Sequence, residues 1–245
     1  MKKIVLIFAA MLTMVQMNTV SAAEAPAADD DENSISYDHP FKSDDAKTHW
    51  SFTTSGFYFG LGVSHNWEVI NNSFEIGLLN AVGINYNSLH GQNISLGVGI
   101  HHRSYSMKRP IMLIRDDVSD AVIMSTYPSV DADKIKNRSS NLNLWAVQFP
   151  LIFTQRIAGK LDITLAGILN WNTYARVDNH YELSKVEHDT KFKSLKQQKI
   201  GFDAMGALTW DECGIYCRYT PGKFFKDAHG PEIKNTWTLG FIIAL

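Results

Sequence analysis

His102-Arg103-Ser104 is the best pairing of a base with a nucleophile in this sequence. His102 and Ser104 stand two apart, so in an extended strand they share one face. An imidazole beside a hydroxyl is two-thirds of a nucleophilic constellation that an acid completes. No acid on a neighbouring segment can be assigned as the third member, because Glu75 falls on the opposite face of its own strand. Two polar residues at the edge of an apolar wall is therefore the favoured reading of the pair. His101 points away from His102, so the two cannot chelate one metal ion. Cys213 and Cys217 lie four apart in a strand-like segment. Their Cα atoms would be about 13 Å apart in an extended chain, beyond disulfide reach. Two thiols without a nearby histidine also make a poor zinc site, so both read as small apolar fillers. His180 and His188 fall in a polar stretch and read as surface residues. No phosphate loop, zinc motif, dinucleotide fingerprint or nucleophile elbow is present, and no cofactor or metal is expected.

The ends and the charge narrow the class. Lys2 and Lys3, the apolar run Ile4 to Met14 and the small residues Val20 to Ala23 make residues 1–23 a signal peptide. Cleavage is expected after Ala22 or Ala23, or after Ala25. The run is too short for a membrane anchor and ends in Gln16, Asn18 and Thr19. Residues 24–50 read as a mobile acidic linker: Asp29-Asp30-Asp31-Glu32 and Asp38, Asp44 and Asp45 carry no periodicity. Those acids lack the spacing and glycine turn of a calcium loop. The formal net charge is -2 over 245 residues, which gives no electrostatic case for nucleic acid.

Residues 51–245 change to a period of two. Phe57, Phe59, Leu61 and Val63 alternate with Tyr58, Gly60, Gly62 and Ser64. Ile94, Leu96, Val98 and Ile100 alternate with Ser95, Gly97, Gly99 and His101. Six further segments follow the same rule, near 74–86, 141–154, 161–171, 200–210, 214–220 and 236–245. The connections sort by parity. Those near Asn87–Gly91, Arg156–Gly159 and Asp211–Cys213 are short. Those over 108–140, 173–198 and 221–235 are long, and only His65–Asn72 breaks the rule. Eight strands, with short turns at one end and long loops at the other, predict an all-β, closed, antiparallel up-and-down transmembrane β-barrel.

The faces agree. One is large and apolar, fit for lipid. The other is rich in Gly, Ser, Thr and Asn, and it carries Glu75, His101, Arg103, Gln148, Asp162, Asp203 and Arg218. An eight-stranded barrel has little interior room, so small residues belong inside and charges can pair there. Asn80 falls on the apolar face, which predicts a bulge or a register shift in the second strand. Trp145, Trp171, Trp210, Trp237 and Tyr219 at strand ends suit interfacial girdles. Ile111–Ile114 and Ala121–Met124 predict a hairpin tipped by Asp120 that extends the third and fourth strands, or a partner-binding surface.

Two stretches carry a family likeness: Trp145-Ala146-Val147-Gln148-Phe149-Pro150-Leu151-Ile152-Phe153, and Gly214–Pro221 together with Leu239–Leu245. They resemble the PorT-like outer-membrane β-barrel proteins of Bacteroides-type bacteria, over roughly Gly56 to Leu245. The resemblance implies the fold and an outer-membrane location, and it transfers no catalytic residue. Pro150 lacks a ladder N–H and predicts a bulge or bend. The first expectation is thus a non-enzymatic outer-membrane barrel that anchors, stabilises or binds. Its expected partners are membrane lipid, lipopolysaccharide, and any protein reached by the loops at 108–140 and 173–198. Lysines between Lys185 and Lys199 would suit lipopolysaccharide phosphates or simple solvation. The alternatives are a lipid-modifying enzyme using His102 and Ser104, similar to outer-membrane lipid A deacylases, and a soluble periplasmic barrel with an apolar ligand inside.

Overall fold

The computed structural model describes residues 36–38, 49–53, 56–64, 69–87, 92–127, 135–193, 195–211, 213–227 and 229–243. Residues 1–23, read as a signal peptide, most of the stretch 24–50, read as an acidic linker, and the last two residues, Ala244 and Leu245, lie outside them. Thirteen strands follow in order: β1 (Ser36–Asp38), β2 (His49–Thr53), β3 (Phe57–Ser64), β4 (Ile70–Asn87), β5 (Gln92–Met107), β6 (Ile111–Arg115), β7 (Val122–Thr126), β8 (Ile135–Ala158), β9 (Leu161–Leu183), β10 (Val186–Lys193), β11 (Ile200–Trp210), β12 (Cys213–Thr220) and β13 (Thr236–Ile243). There is no helix among the described residues.

Eight of these strands close on themselves. The ring runs β3, β4, β5, β8, β9, β11, β12, β13 and back to β3, with every neighbour antiparallel. Closure is made by β13 against β3, in the register Leu239 opposite Leu61. The alternation that forms the strands also sorts their side chains. In β3, Tyr58, Gly60, Gly62 and Ser64 point in, and Phe57, Phe59, Leu61 and Val63 point out. β2 pairs with the lower part of β4 (Thr53 opposite Gly83), while β3 pairs with its upper part (Phe57 opposite Leu78). β2 therefore prolongs the first barrel strand. It begins at His49, and β1 pairs with it in parallel, so β1 and the first two residues of β2 fall within the stretch read as linker.

The anomaly at Asn80 is a bulge. Between Leu78 and Val82 the β4–β5 register slips. Leu79 and Asn80 both turn inward, and the Leu79 N–H donates to Gly56 O at 2.9 Å. The Asn80 amide fills space left by two glycines: a Cβ on Gly83 would come within 2.5 Å of it, and one on Gly97 within 1.8 Å. Of the bulge or bend expected at Pro150, the bulge is absent. The β5–β8 register is the same at Leu96–Leu151 and Gly99–Gln148, although the pairs between are lost. Proline here interrupts the ladder without inserting a residue.

Short turns close one end, with Gly159 at φ 55° and Asp211 at φ 59°. They are tied together by Lys160 Nζ donating to Asp211 Oδ2 at 2.8 Å. The other end differs from expectation. Most of the stretch 173–198 is strand, because β9 continues to Leu183 and turns through Ser184-Lys185 into β10. Both turn residues have positive φ (53° and 67°), as a two-residue hairpin turn requires. β6 and β7 do form a hairpin with Asp120 at φ 55°, but it is a separate two-stranded sheet and does not extend β5 and β8. It folds inward instead. The Leu113 N–H donates to Ser140 Oγ at 3.1 Å, and Asn179 Nδ2 donates to Leu113 O at 2.7 Å.

The strands reverse their faces along their length. In the lower part the outer wall is apolar, with Leu61, Leu96, Leu151, Leu165, Ile215 and Leu239 about half exposed or more. Above Trp145 the outer face carries Ser104, Ser106, Asn141, Asn143, Arg176 and Asp178, and the inner face carries Tyr105, Met107, Leu142, Leu144, Ala175 and Val177. These inner residues join Leu113, Val122, Leu195, Phe224, Phe225 and Ile233 in an apolar cap over the mouth. In β9 a bulge makes the reversal. Trp145 pairs with Tyr174 but Ala146 pairs with Asn172, so Thr173 is extra. The apolar odd positions that faced out through Trp171 face in from Ala175.

Candidate functional site: a sealed ionic cluster

Seven strands aim polar groups at one level of the interior. Arg103 on β5 grips Glu75 on β4, with Nε at 3.0 Å and a terminal nitrogen at 2.6 Å from Oε2. Its other arm donates to Thr220 Oγ1 at 2.9 Å and the Tyr105 hydroxyl at 3.3 Å. Arg218 on β12 donates from Nε to Asp203 Oδ2 on β11 at 2.8 Å and from Nη1 to the Tyr58 hydroxyl on β3 at 2.8 Å. It also reaches Asn170 Oδ1 on β9 at 3.3 Å and lies 3.3 Å from His101 Nδ1. Asn170 Nδ2 donates to Asp203 at 2.8 Å, and Tyr216 donates its hydroxyl proton to Glu75 Oε1 at 2.9 Å. Tyr58 donates to Gln148 Oε1 on β8 at 3.1 Å, and Gln148 Nε2 donates to Leu78 O at 2.7 Å. Arg103 and Asp203, 3.8 Å apart, join the two halves.

Two arginines balance two carboxylates, and all four are at most 2 % exposed. Charges so deeply buried need pairing and full hydrogen bonding. The cluster is shut in from both sides. Beneath it lie Leu79, Ile152, Ile168, Met205 and Ile242. Above it is the cap, separated by a cavity of about 40 Å³ against Phe224 and Tyr105. That space suits a water molecule. The cluster pairs its charges and ties seven strands together.

Of the seven interior residues read from the sequence, six meet here: Glu75, His101, Arg103, Gln148, Asp203 and Arg218. Asp162 is buried elsewhere, near the short-turn end, with Arg156 Nε at 3.4 Å. Sequence reasoning missed Tyr58 and Tyr216. Both occupy the small-residue face, and glycines make their room. A Cβ on Gly77 would meet the Tyr58 hydroxyl at 2.6 Å, and one on Gly60 would meet the Tyr216 hydroxyl at 2.4 Å. Their signal was an aromatic ring in phase with glycine.

His102 and Ser104 share the outer face at the upper margin of the apolar wall. The His102 ring lies 4.6 Å from the Trp145 ring, and Ser104 stands opposite Asn143. Ser104→Ala is expected to leave stability within about 0.5 kcal/mol and the mass profile of membrane lipid A unchanged; a new lipid A species in that variant would revive the enzyme reading. His180 Nδ1 lies 2.7 Å from Asp189 Oδ1, and His188 stacks on Tyr181, both within the β9–β10 hairpin. Cys213 and Cys217 are free thiols on the outer face of β12. Among the described residues no three His, Cys, Asp or Glu side chains converge as a metal group.

These features define a closed eight-stranded antiparallel barrel with an ionic cluster buried inside it between two apolar layers. No protein-family model matches the chain, and no curated protein matches it.

Proposed function

We propose that the chain is an integral outer-membrane β-barrel, sealed along its axis, whose role is structural, anchoring or binding and not catalytic. The observation that carries this reading is the reversal of the strand faces at Trp145. A soluble barrel has no reason to turn its apolar side outward over one length and inward over the next. A barrel crossing from hydrocarbon into water has that reason. The outward apolar stretch Trp145 to Phe153 on β8 is about the nine to eleven residues a tilted strand needs to span. Trp145, Trp171 and Trp237 mark its upper edge, and Trp210 and Trp50 its lower edge, as interfacial aromatics do. Long connections lie beyond the upper edge, the arrangement of an exterior rim. The balanced cluster and the cap leave no room for a diffusion path, which favours anchoring or binding over transport.

The reading is tested by placing a charge on each side of the boundary. Leu239 is two-thirds exposed in the middle of the apolar wall. In phosphatidylcholine vesicles, Leu239→Arg is expected to cost about 2–4 kcal/mol by urea unfolding. Thr190→Arg on exposed β10 is expected to change stability by less than about 0.5 kcal/mol. A soluble barrel would accept Leu239→Arg without loss, and that result would sink the proposal.

A further inference from the structure

β10 (Val186–Lys193) is an edge strand. Among the described residues it pairs with β9 alone, and it is exposed along its length, with only His188 and Phe192 partly covered. The two-residue turn at Ser184-Lys185 makes Leu183 and Val186 a hydrogen-bonded pair. The even residues of β10 therefore bond β9, and the odd residues direct their backbone groups to the other edge. Arg115 fits this phase, for its guanidinium donates to Lys193 O. The N–H and C=O groups of Glu187, Asp189 and Lys191 point the same way, away from β9. Such a row is a template for another strand, and no proline interrupts it.

The same odd positions carry the strand's charges, in the order acid, acid, base, base: Glu187, Asp189, Lys191 and Lys193. Asp189 also holds His180 of β9 at 2.7 Å. At the two ends β9 offers like charges, with Glu187 opposite Glu182 and Lys193 opposite Arg176. Like charges in that position are unfavourable, and an opposite charge from the other side relieves them. A second copy of β10, laid antiparallel about Thr190, supplies one at every position. Asp189 then meets Lys191, and Glu187 meets Lys193. The backbone phase agrees, because odd residues exchange their bonds with odd residues. Lys193 O, already bonded by Arg115, has a second lone pair for the new ladder. The neighbouring registers fail. Centred on Asp189 or Lys191, the pairing sets that residue against its own copy. Centred on His188 it opposes Glu187 to Asp189, and centred on Phe192 it opposes Lys191 to Lys193. We infer that β10 is a self-recognising edge that pairs antiparallel with β10 of a second copy, centred on Thr190. The inference goes beyond the membrane reading and names a partner for the upper end of the barrel. The two-fold axis of such a pair stands normal to the hairpin sheet. Since β9 carries the hairpin in line with the barrel wall, the two barrels meet by their upper ends.

The test uses the full chain in a neutral detergent at low salt, with Cys213 and Cys217 replaced by serine, and reads disulfide-linked dimer under mild oxidation. In the inferred register the two Thr190 residues form a non-hydrogen-bonded pair with Cα atoms about 4.5 Å apart, within disulfide reach. The two Glu187 residues lie about 20 Å apart. Thr190→Cys is expected to cross-link at least about tenfold faster than Glu187→Cys. Two charge variants are then built on Thr190→Cys. The acidic one carries Lys191→Glu and Lys193→Glu, and the basic one carries Glu187→Lys and Asp189→Lys. Each alone should cross-link about tenfold less than Thr190→Cys, because every facing pair is then of like charge. An equimolar mixture should recover the cross-link as the mixed dimer, identified by its mass, and lose that advantage in 1 M salt. Recovery on mixing also shows that both variants are folded, as does a gel run with and without boiling. Equal rates for Thr190→Cys and Glu187→Cys would overturn the register. A mixture no better than its separate components would overturn self-recognition and leave the edge to a strand of a different protein.

Discussion

Arg218→Met should destabilise the barrel by about 3–5 kcal/mol, the cost of removing one partner from a buried ion pair. Arg218 has no solvent exposure, and it ties Asp203 to Tyr58, Asn170 and Gln148. Without it Asp203 keeps Asn170 at 2.8 Å, the Thr220 hydroxyl and a distant Arg103 at 3.8 Å, too little for a buried carboxylate. The double variant Arg218→Met, Asp203→Leu should recover most of the loss, because neither charge is then stranded. An exposed pair provides the contrast: Lys223→Met, which removes the partner of Asp227, should leave stability unchanged. Urea unfolding of the protein in vesicles reads all three. A single-variant loss below about 1 kcal/mol would mean that the cluster does not lock the strands together.

Gly240→Val should prevent barrel closure altogether. Gly240 lies on β13, the strand that closes the ring against β3. A Cβ there would meet Phe59 O at 2.1 Å and Gly60 Cα at 2.5 Å, both backbone atoms, and the Tyr216 ring at 2.7 Å. Backbone cannot yield without opening the β13–β3 ladder, so the cost exceeds that of ordinary overpacking. The expected result is loss of the fast-migrating unboiled band and accumulation of unfolded chain. Gly206→Ala is the control. It lies on the outer face of β11, where a Cβ meets only the end of Leu165 at 3.8 Å, and it should fold normally. A closed barrel from Gly240→Val would contradict the packing described for the closure seam.

Much of this architecture was legible because a strand has a period of two and each barrel face has its own solvent. Phe59, Leu61 and Val63 against Gly60, Gly62 and Ser64 could be assigned to faces without any tertiary knowledge. Asn80 was legible as an error in that pattern, and the error is the β4 bulge. The upper part of the molecule was not legible for a related reason. There the alternation continues with its sense reversed, and Leu142 and Leu144 look like outward residues until the solvent on each side is known. In β9 the outward apolar series from Leu161 to Trp171 sits at odd positions, and the extra Thr173 puts the odd Ala175 and Val177 on the inner face. The cap joins Leu195, Phe224 and Ile233 to β5, β8 and β9 across long stretches of sequence, a tertiary event without a local signature. The ionic cluster stood between these cases. Its charged members followed from parity, but Tyr58 and Tyr216 were hidden among the glycines that make room for them.

Fractionating cells that express the full chain shows whether the closed barrel is embedded in the outer membrane. The membrane pellet and the soluble periplasm are each run on a denaturing gel with and without boiling. A membrane-embedded barrel is expected in the outer-membrane pellet, with the unboiled sample migrating faster than the boiled one. Recovery in the soluble periplasm, with no heat-dependent shift, would contradict it, and the apolar outer wall would then have to be covered by something other than lipid.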